Sequence, residues 1–130
     1  MIIEPVIDGV IARSAHPLGC EQSVLQQIEY ASQAKPIKNG PKRVLIIGGS
    51  SGLGLASRIA LTFGGAEADT ISVSFEREPS EKSLGSAGYF NNAFFKKHAQ
   101  KEGRLAINIQ GDAFSPVSYT HLTLPTIAEV

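Results

Sequence analysis

The sequence predicts an α/β fold built on a small parallel sheet. Residues 44–47 (VLII) are apolar at every position and run straight into GGSSGLG. A strand buried on both faces, in the middle of a parallel sheet, has that composition. Strand-like and helix-like stretches then alternate as strand, helix, strand, helix, strand, which implies parallel pairing with right-handed crossovers. At 130 residues the chain holds one domain at most.

Each element has a local reason. Residues 2–12 are rich in Ile and Val and are broken by Asp8-Gly9, which predicts two short strands about a turn. HPLG at 16–19 reads as a loop. Residues 21–34 set Val24, Leu25, Ile28 and Ala31 at helical spacing, an amphipathic helix. Residues 35–43 hold two prolines and Asn39-Gly40 and read as a connector. A helix follows the glycine turn over 52–63, then a strand over 69–75 (DTISVSF) and a polar loop over 76–85. The last helix spans 87–101, with Phe90, Ala93, Phe94 and Lys97 on one side and Gly103 as its stop. The last strand, 105–109, ends at Gly111-Asp112. Residues 1–43 are thus a hairpin-and-helix extension expected to cover one face of the sheet carried by 44–115.

Composition excludes several function classes. Charged residues balance to a net charge of zero, so no basic face offers itself to nucleic acid or anionic membrane. The single cysteine, Cys20, excludes an internal disulfide and suits a reducing, cytoplasmic setting. Glu4 and Asp8 interrupt the N-terminus where an export signal wants a positive start and an unbroken apolar stretch. No apolar run is long enough to span a bilayer. His16, His98 and His121 are scattered, with no acid or cysteine at metal-ligand spacing, so no metal is expected. His98 reads as a helix surface residue. His16 and Cys20 lack a third, orienting group, so they read as loop structure rather than as a nucleophile pair.

Chemistry points to the turn. Gly48, Gly52 and Gly54 have the spacing G-x-x-x-G-x-G. Gly48 lets the chain leave the strand sharply, Gly52 admits a phosphate close to the backbone, and Gly54 allows tight helix–strand packing. The helix then aims its N–H groups and positive dipole end at the turn, which suits an anion. The turn follows a strand, opens a helix and has an acid further on, the context that a dinucleotide-binding fingerprint requires; a tight turn without ligand is the plain alternative. A kinase-like phosphate loop is excluded, because Leu55 and Ala56 stand where Lys and Ser/Thr are needed. Glu76, at the end of the second strand of this unit, is placed to accept from ribose hydroxyls and to repel a 2′-phosphate. That repulsion is about 1–4 kcal/mol at contact distance and favours NADH over NADPH. Arg77 opposes this if it turns inward, and a solvated loop charge is the other reading of Glu76. Asp112-Ala113 ends the third strand at the same edge; Asp112 either accepts from an adenine amino group or caps a turn.

Several stretches together resemble one family. They are HPLGCE at 16–21, PIKNGPKRVLIIGGSSGLG at 36–54, SFE at 74–76, GSAGYFNNAFF at 85–95 and NIQGDAFS at 108–115. They are similar to the N-terminal part of the FabV-type trans-2-enoyl-CoA / enoyl-acyl-carrier-protein reductases. The likeness covers about residues 1–115. It implies a partial Rossmann sheet of the short-chain dehydrogenase/reductase kind, with the N-terminal β-hairpin and helix as an extension. It further implies NADH-dependent reduction of the 2,3 double bond of an enoyl-CoA or enoyl-acyl carrier protein thioester in fatty acid biosynthesis, by a longer, mostly monomeric protein. Carried over residue by residue, NAD is met by Gly48, Gly49, Ser50, Ser51, Gly52 and Leu53 at the turn, by Phe75 and Glu76 at the ribose, and by Asp112 and Ala113 at the adenine. Leu53 stands where the family often has Tyr, so a hydroxyl is lost there.

The proton donor of such a reaction is missing. The family uses a tyrosine assisted by a lysine nine residues later; nine residues beyond Tyr30, Tyr89 and Tyr119 stand Asn39, His98 and Ala128. No catalytic residue is therefore assigned, and Tyr30 and Tyr89 are expected to pack on their helices. After Ser115 the sequence offers no helix, and VSYTHLTLPT resembles a translated sequencing-adapter read-through; residues 116–130 are read as a non-family tail. In a Rossmann order of 3-2-1-4 the first strand is central, so without a fourth strand residues 44–47 become an exposed apolar edge, prone to association. Two functional readings stand: the cofactor portion of an enoyl thioester reductase, and a non-catalytic dinucleotide-binding module.

Overall fold

The structure, a computed structural model, describes residues 2–117. A two-residue hairpin opens the chain: β1 (Ile7–Asp8) pairs antiparallel with β2 (Ile11–Ala12) about Gly9, whose φ is +62°. Then come α1 (Pro17–Ala31), β3 (Arg43–Ile47), α2 (Gly52–Phe63), β4 (Asp69–Ser74), α3 (Ala87–Lys101) and β5 (Ala106–Gln110). The three long strands form one parallel sheet in the order β3-β4-β5, the first three positions of the expected Rossmann order read from one side.

Helix α2 packs on β3 and β4, α3 packs on β5, and α1 lies across both helices. One core joins them: Val24 of α1, Leu55 and Ile59 of α2, Phe95 and Ala99 of α3, and Ala106 of β5. Phe63 meets Phe95 edge-to-face at 5.6 Å, an arrangement that aromatic quadrupoles favour. A smaller cluster, Val73 and Ile109 with Ile71, Ile107 and Ala113, belongs to the alternate residues of β4 and β5, so it lies on the other face of the sheet.

The helix-facing residues of β4 are polar, and a buried arginine meets them. Arg58 of α2 is fully buried. Its Nε donates to Thr70 Oγ1 at 2.9 Å, and its two terminal nitrogens donate to Asn108 Oδ1 at 2.6 Å and to the Ile107 carbonyl at 3.1 Å. The guanidinium stacks 4.3 Å from the centre of the Phe95 ring. Burial pulls its pKa down to about 10. Asn108 Nδ2 donates to the Asn92 carbonyl at 3.0 Å, and Asn92 Nδ2 to Ser74 Oγ at 2.9 Å. A polar layer thus ties α2, α3, β4 and β5 together beneath the apolar core.

Five sequence expectations change. The HPLG stretch is the start of α1, not a loop: Pro17 sits in the first turn, where its missing N–H costs nothing, and His16 Nδ1 accepts from the Gly19 amide at 3.4 Å. Tyr30 does not pack on its helix but is exposed, whereas Tyr89 does pack, edge-on to Phe90. The buried face of α3 is Gly88, Asn92, Phe95 and Ala99, one stripe away from Phe90 and Ala93, because Asn92 and Phe95 are claimed by the polar layer and by Arg58. Strand β3 is not buried on both faces: Leu45 and Ile47 are 53% and 65% exposed, since β3 pairs only with β4 among the described residues, as the edge argument anticipates. Pro116 and Val117 are helical, although no helix is predicted there; the rest of the tail reading, with Tyr119 and His121, lies outside the described residues.

Candidate functional site

Parallel pairing brings the ends of β3, β4 and β5 to one edge, and each sequence-predicted site residue follows one of those ends. Ligands of open parallel sheets bind in the crevice outside such ends.

The turn after β3 is shaped by its glycines. Gly48 has φ +81° and Gly52 φ +55°, a region that costs an L-residue with a Cβ but not glycine. The Gly48 amide donates to the Val73 carbonyl at 2.8 Å, which carries the β3–β4 ladder one residue into the turn. A Cβ on Gly54 would lie under 3.0 Å from the Gly48 carbonyl, so the helix packs directly on the turn. A Cβ on Gly49, to which the sequence assigns only a place in the turn, would likewise come under 3.0 Å from Ser72 Oγ of β4. Above Gly52 nothing lies within 4 Å of a Cβ position, and the space is open. Ser51 precedes α2 in an extended conformation and makes no side-chain cap. Leu53, in the first turn, is 89% exposed.

Ser50 points the other way. It is buried, and its hydroxyl donates to Glu76 Oε1 at 2.5 Å. The hydroxyl of Ser86 donates to the second carboxylate oxygen, Oε2. Ser86 is the residue before α3, yet its side chain makes no cap to that helix. Asn91 Nδ2 of α3 donates to the Ser50 carbonyl at 3.0 Å. The sequence reading assigns no role to Ser86, Gly88 or Asn91; GSAG at 85–88 is legible only as a helix start.

Phe75 is 80% exposed. It lines a pocket of about 630 Å³ with Ala12, Arg13, Glu76, Arg77 and Ser86, so the N-terminal hairpin forms a wall at this end. Arg77 does not turn inward: it donates to the Arg13 carbonyl at 3.3 Å. Asp112 Oδ1 accepts from the Phe114 amide at 2.9 Å, a turn-forming bond, and Ala113 packs against Val73 and Ile109.

Other candidate chemistry is absent or quiet. Among the described residues no cluster of three His, Cys, Asp or Glu side chains is placed to hold a metal. Burial pushes the Cys20 thiol up, away from reactivity. His98 is not a surface residue: its side chain is 13% exposed and lies 3.9 Å from Glu21. Burial, then Lys101 and Lys97, pull its pKa down against the opposing pull of Glu21.

The chain that carries this glycine turn matches known proteins. Residues 2–81 match the family model described as the NAD(P)H binding domain of trans-2-enoyl-CoA reductase. The chain belongs to the trans-2-enoyl-CoA reductase family. Residues 83–127 match the model of that family's catalytic region. An enoyl-[acyl-carrier-protein] reductase [NADH] of Vibrio cholerae is 71% identical over 88% of this chain, and a trans-2-enoyl-CoA reductase [NADH] of Clostridium beijerinckii is 56% identical over the same share. The chain spans 29% of the length of each. Among solved structures of the family, the Treponema denticola trans-2-enoyl-CoA reductase in complex with NAD superposes with a TM-score of 0.89, at 39% identity over 99% of this chain and 33% of that one. The Clostridium acetobutulicum trans-2-enoyl-CoA reductase in complex with NADH gives 0.87, at 45% identity over 94% of this chain and 30% of that one. The chain therefore carries the NAD(P)H binding domain of this reductase family. No helix among the described residues is long and apolar enough to cross a membrane.

Proposed function

We propose that this chain is the cofactor-binding portion of a monomeric, cytoplasmic, NADH-dependent reductase. That enzyme would reduce the 2,3 double bond of an enoyl-CoA or enoyl-acyl carrier protein in fatty acid biosynthesis. The observation that carries the proposal is the open approach over Gly52 at the start of α2, with Glu76 and Asp112 at the same sheet edge. Gly49, Ser51, Gly52 and Leu53 offer the pyrophosphate backbone N–H groups that no side chain caps, while Gly48, its amide given to Val73, shapes the turn for it. The dipole contribution of α2 is about 0.3–2 kcal/mol per charge. Ser50 acts through Glu76. Phe75 offers its exposed ring to the adenosine, Glu76 accepts from the ribose hydroxyls, and Asp112 accepts from the adenine amino group beside Ala113. When bound, the nicotinamide supplies the hydride. Proton donation falls to a tyrosine and a lysine beyond the matched third, because Tyr30 and Tyr89 lack the lysine partner.

A non-catalytic nucleotide-binding module is the second reading, favoured by that missing pair. Titrating the 130-residue chain with NADH, followed by nicotinamide fluorescence, separates the two. The reductase reading expects weak binding and no NADH oxidation when a 2-enoyl-CoA is added. Tight binding by a stably folded chain supports the module; no binding up to millimolar NADH defeats both.

A further inference from the structure

We infer that Ser86 and Gly88, at the start of α3, set the discrimination between NADH and NADPH by seating the Glu76 carboxylate. The inference rests on the reading of Glu76 as the ribose-facing acid, and it makes Ser86 and Gly88 positioning residues.

Glu76 follows β4 at a sheet edge, where a long side chain has many rotamers open to it. Here it has one seat. Ser50 holds one carboxylate oxygen and Ser86 the other. The floor of the seat is Gly88: a Cβ there would come under 3.0 Å from the carboxylate carbon and from both oxygens. Gly88 is buried and helical, with no positive φ to explain a glycine, so the room it leaves is its function. The seat also places the charge at the N-terminal end of α3, where a helix favours an anion. Ser86 gives up capping α3 to make its bond.

The seat decides what a 2′-phosphate meets. Two guanidinium-bearing residues, Arg13 and Arg77, line the same pocket as Glu76. With the carboxylate fixed, it keeps its lone pairs on the turn side and repels a phosphate arriving there. Unseated, it can swing to Arg77 and pair with it, as Asp8 already pairs with Arg13, so that its charge no longer stands against a 2′-phosphate. A two-oxygen carboxylate has about four acceptor positions, so bonds from Ser50 and Ser86 leave capacity for ribose hydroxyls.

The test measures dissociation constants for NADH and NADPH by fluorescence on the 130-residue chain, as wild type, Gly88→Ala, Ser86→Ala, Ser86→Thr and Glu76→Gln. Wild type should prefer NADH by one to three decades, the range expected of carboxylate–phosphate repulsion. Gly88→Ala and Ser86→Ala should each cut that preference by about tenfold, through both weaker NADH and stronger NADPH binding, and Ser86→Thr, which keeps the hydroxyl, should retain it. In a Glu76→Gln background neither substitution should shift the ratio further, because they act through the same group. The inference is overturned if Ser86→Ala or Gly88→Ala weakens both dinucleotides alike, as general damage would, or leaves the ratio unchanged. If Gly88→Ala does not fold, the Ser86 pair decides alone. A wild type that binds NADH and NADPH equally overturns the reading of Glu76 itself, and this inference with it; a wild type selective for NADH whose ratio ignores residues 86 and 88 overturns only the inference.

Discussion

Strands β3 and β4 lie side by side and invert what their sequences suggest. RVLII of β3 carries the longest apolar run of the parallel sheet, yet Leu45 and Ile47 are more than half exposed. DTISVS of β4 has Thr, Ser and Ser at alternate positions, yet Thr70, Ser72, Val73 and Ser74 are buried. Position in the sheet, not composition, decides burial: among the described residues β4 is central and β3 has an edge. Composition decides instead what burial demands. The apolar strand needs only cover, whereas the polar one needs partners, and Arg58 and Asn92 supply them to Thr70 and Ser74.

The largest effect expected from this contrast comes from Arg58. Arg58→Ala empties a buried site and leaves Thr70, Asn108 and the Ile107 carbonyl short of a donor, which should cost about 2–4 kcal/mol in a urea melt. A loss under about 1 kcal/mol would mean that the polar layer is incidental. Next comes the matched pair Val73→Ala and Ile47→Ala. The fully buried Val73 should cost about 1–3 kcal/mol, and the exposed Ile47 less than about 0.5 kcal/mol although it loses more carbon. Equal losses would break the comparison. On the same edge, Ile47→Lys should reduce self-association by sedimentation without lowering stability. The smallest effect belongs to Ser72. Its buried hydroxyl has no partner among the described residues, so Ser72→Ala should be neutral or should stabilise by up to about 1 kcal/mol. A clear destabilisation would reveal a partner.

What was legible follows from distance along the chain. The turn at Gly48–Gly54, the helix over 52–63 and the hairpin about Gly9 are written in neighbouring residues and are found where they are expected. The strand order also followed, because crossover rules leave few choices. The partners of Arg58 lie 12 and 50 residues away, and no local pattern announces them. The buried face of α3 is hidden for the same reason: the side that carries Phe90 and Phe94 stands out in the sequence, but Gly88 and Asn92 face inward to Glu76 and Ser74. The position of Glu76 after a strand is legible in the sequence, but the seat of its carboxylate is not, since it needs Ser50, Ser86 and Gly88 from two other elements. His16 as a helix cap could have been read, since Pro17 beside it is a recognised opening signal.

The bond from the Gly48 amide to Val73 has a consequence for timescales. It makes the first residue of the turn part of the central ladder, anchored on a fully buried valine. That amide can exchange its hydrogen with solvent only when the sheet itself opens, on the slow clock of the core. The hairpin about Gly9, with Ile7, Val10 and Ile11 all exposed, opens on a much faster one. On the proposed reading, a dinucleotide would meet a phosphate cradle that is already ordered, and would lose little of its binding energy to stiffening the protein.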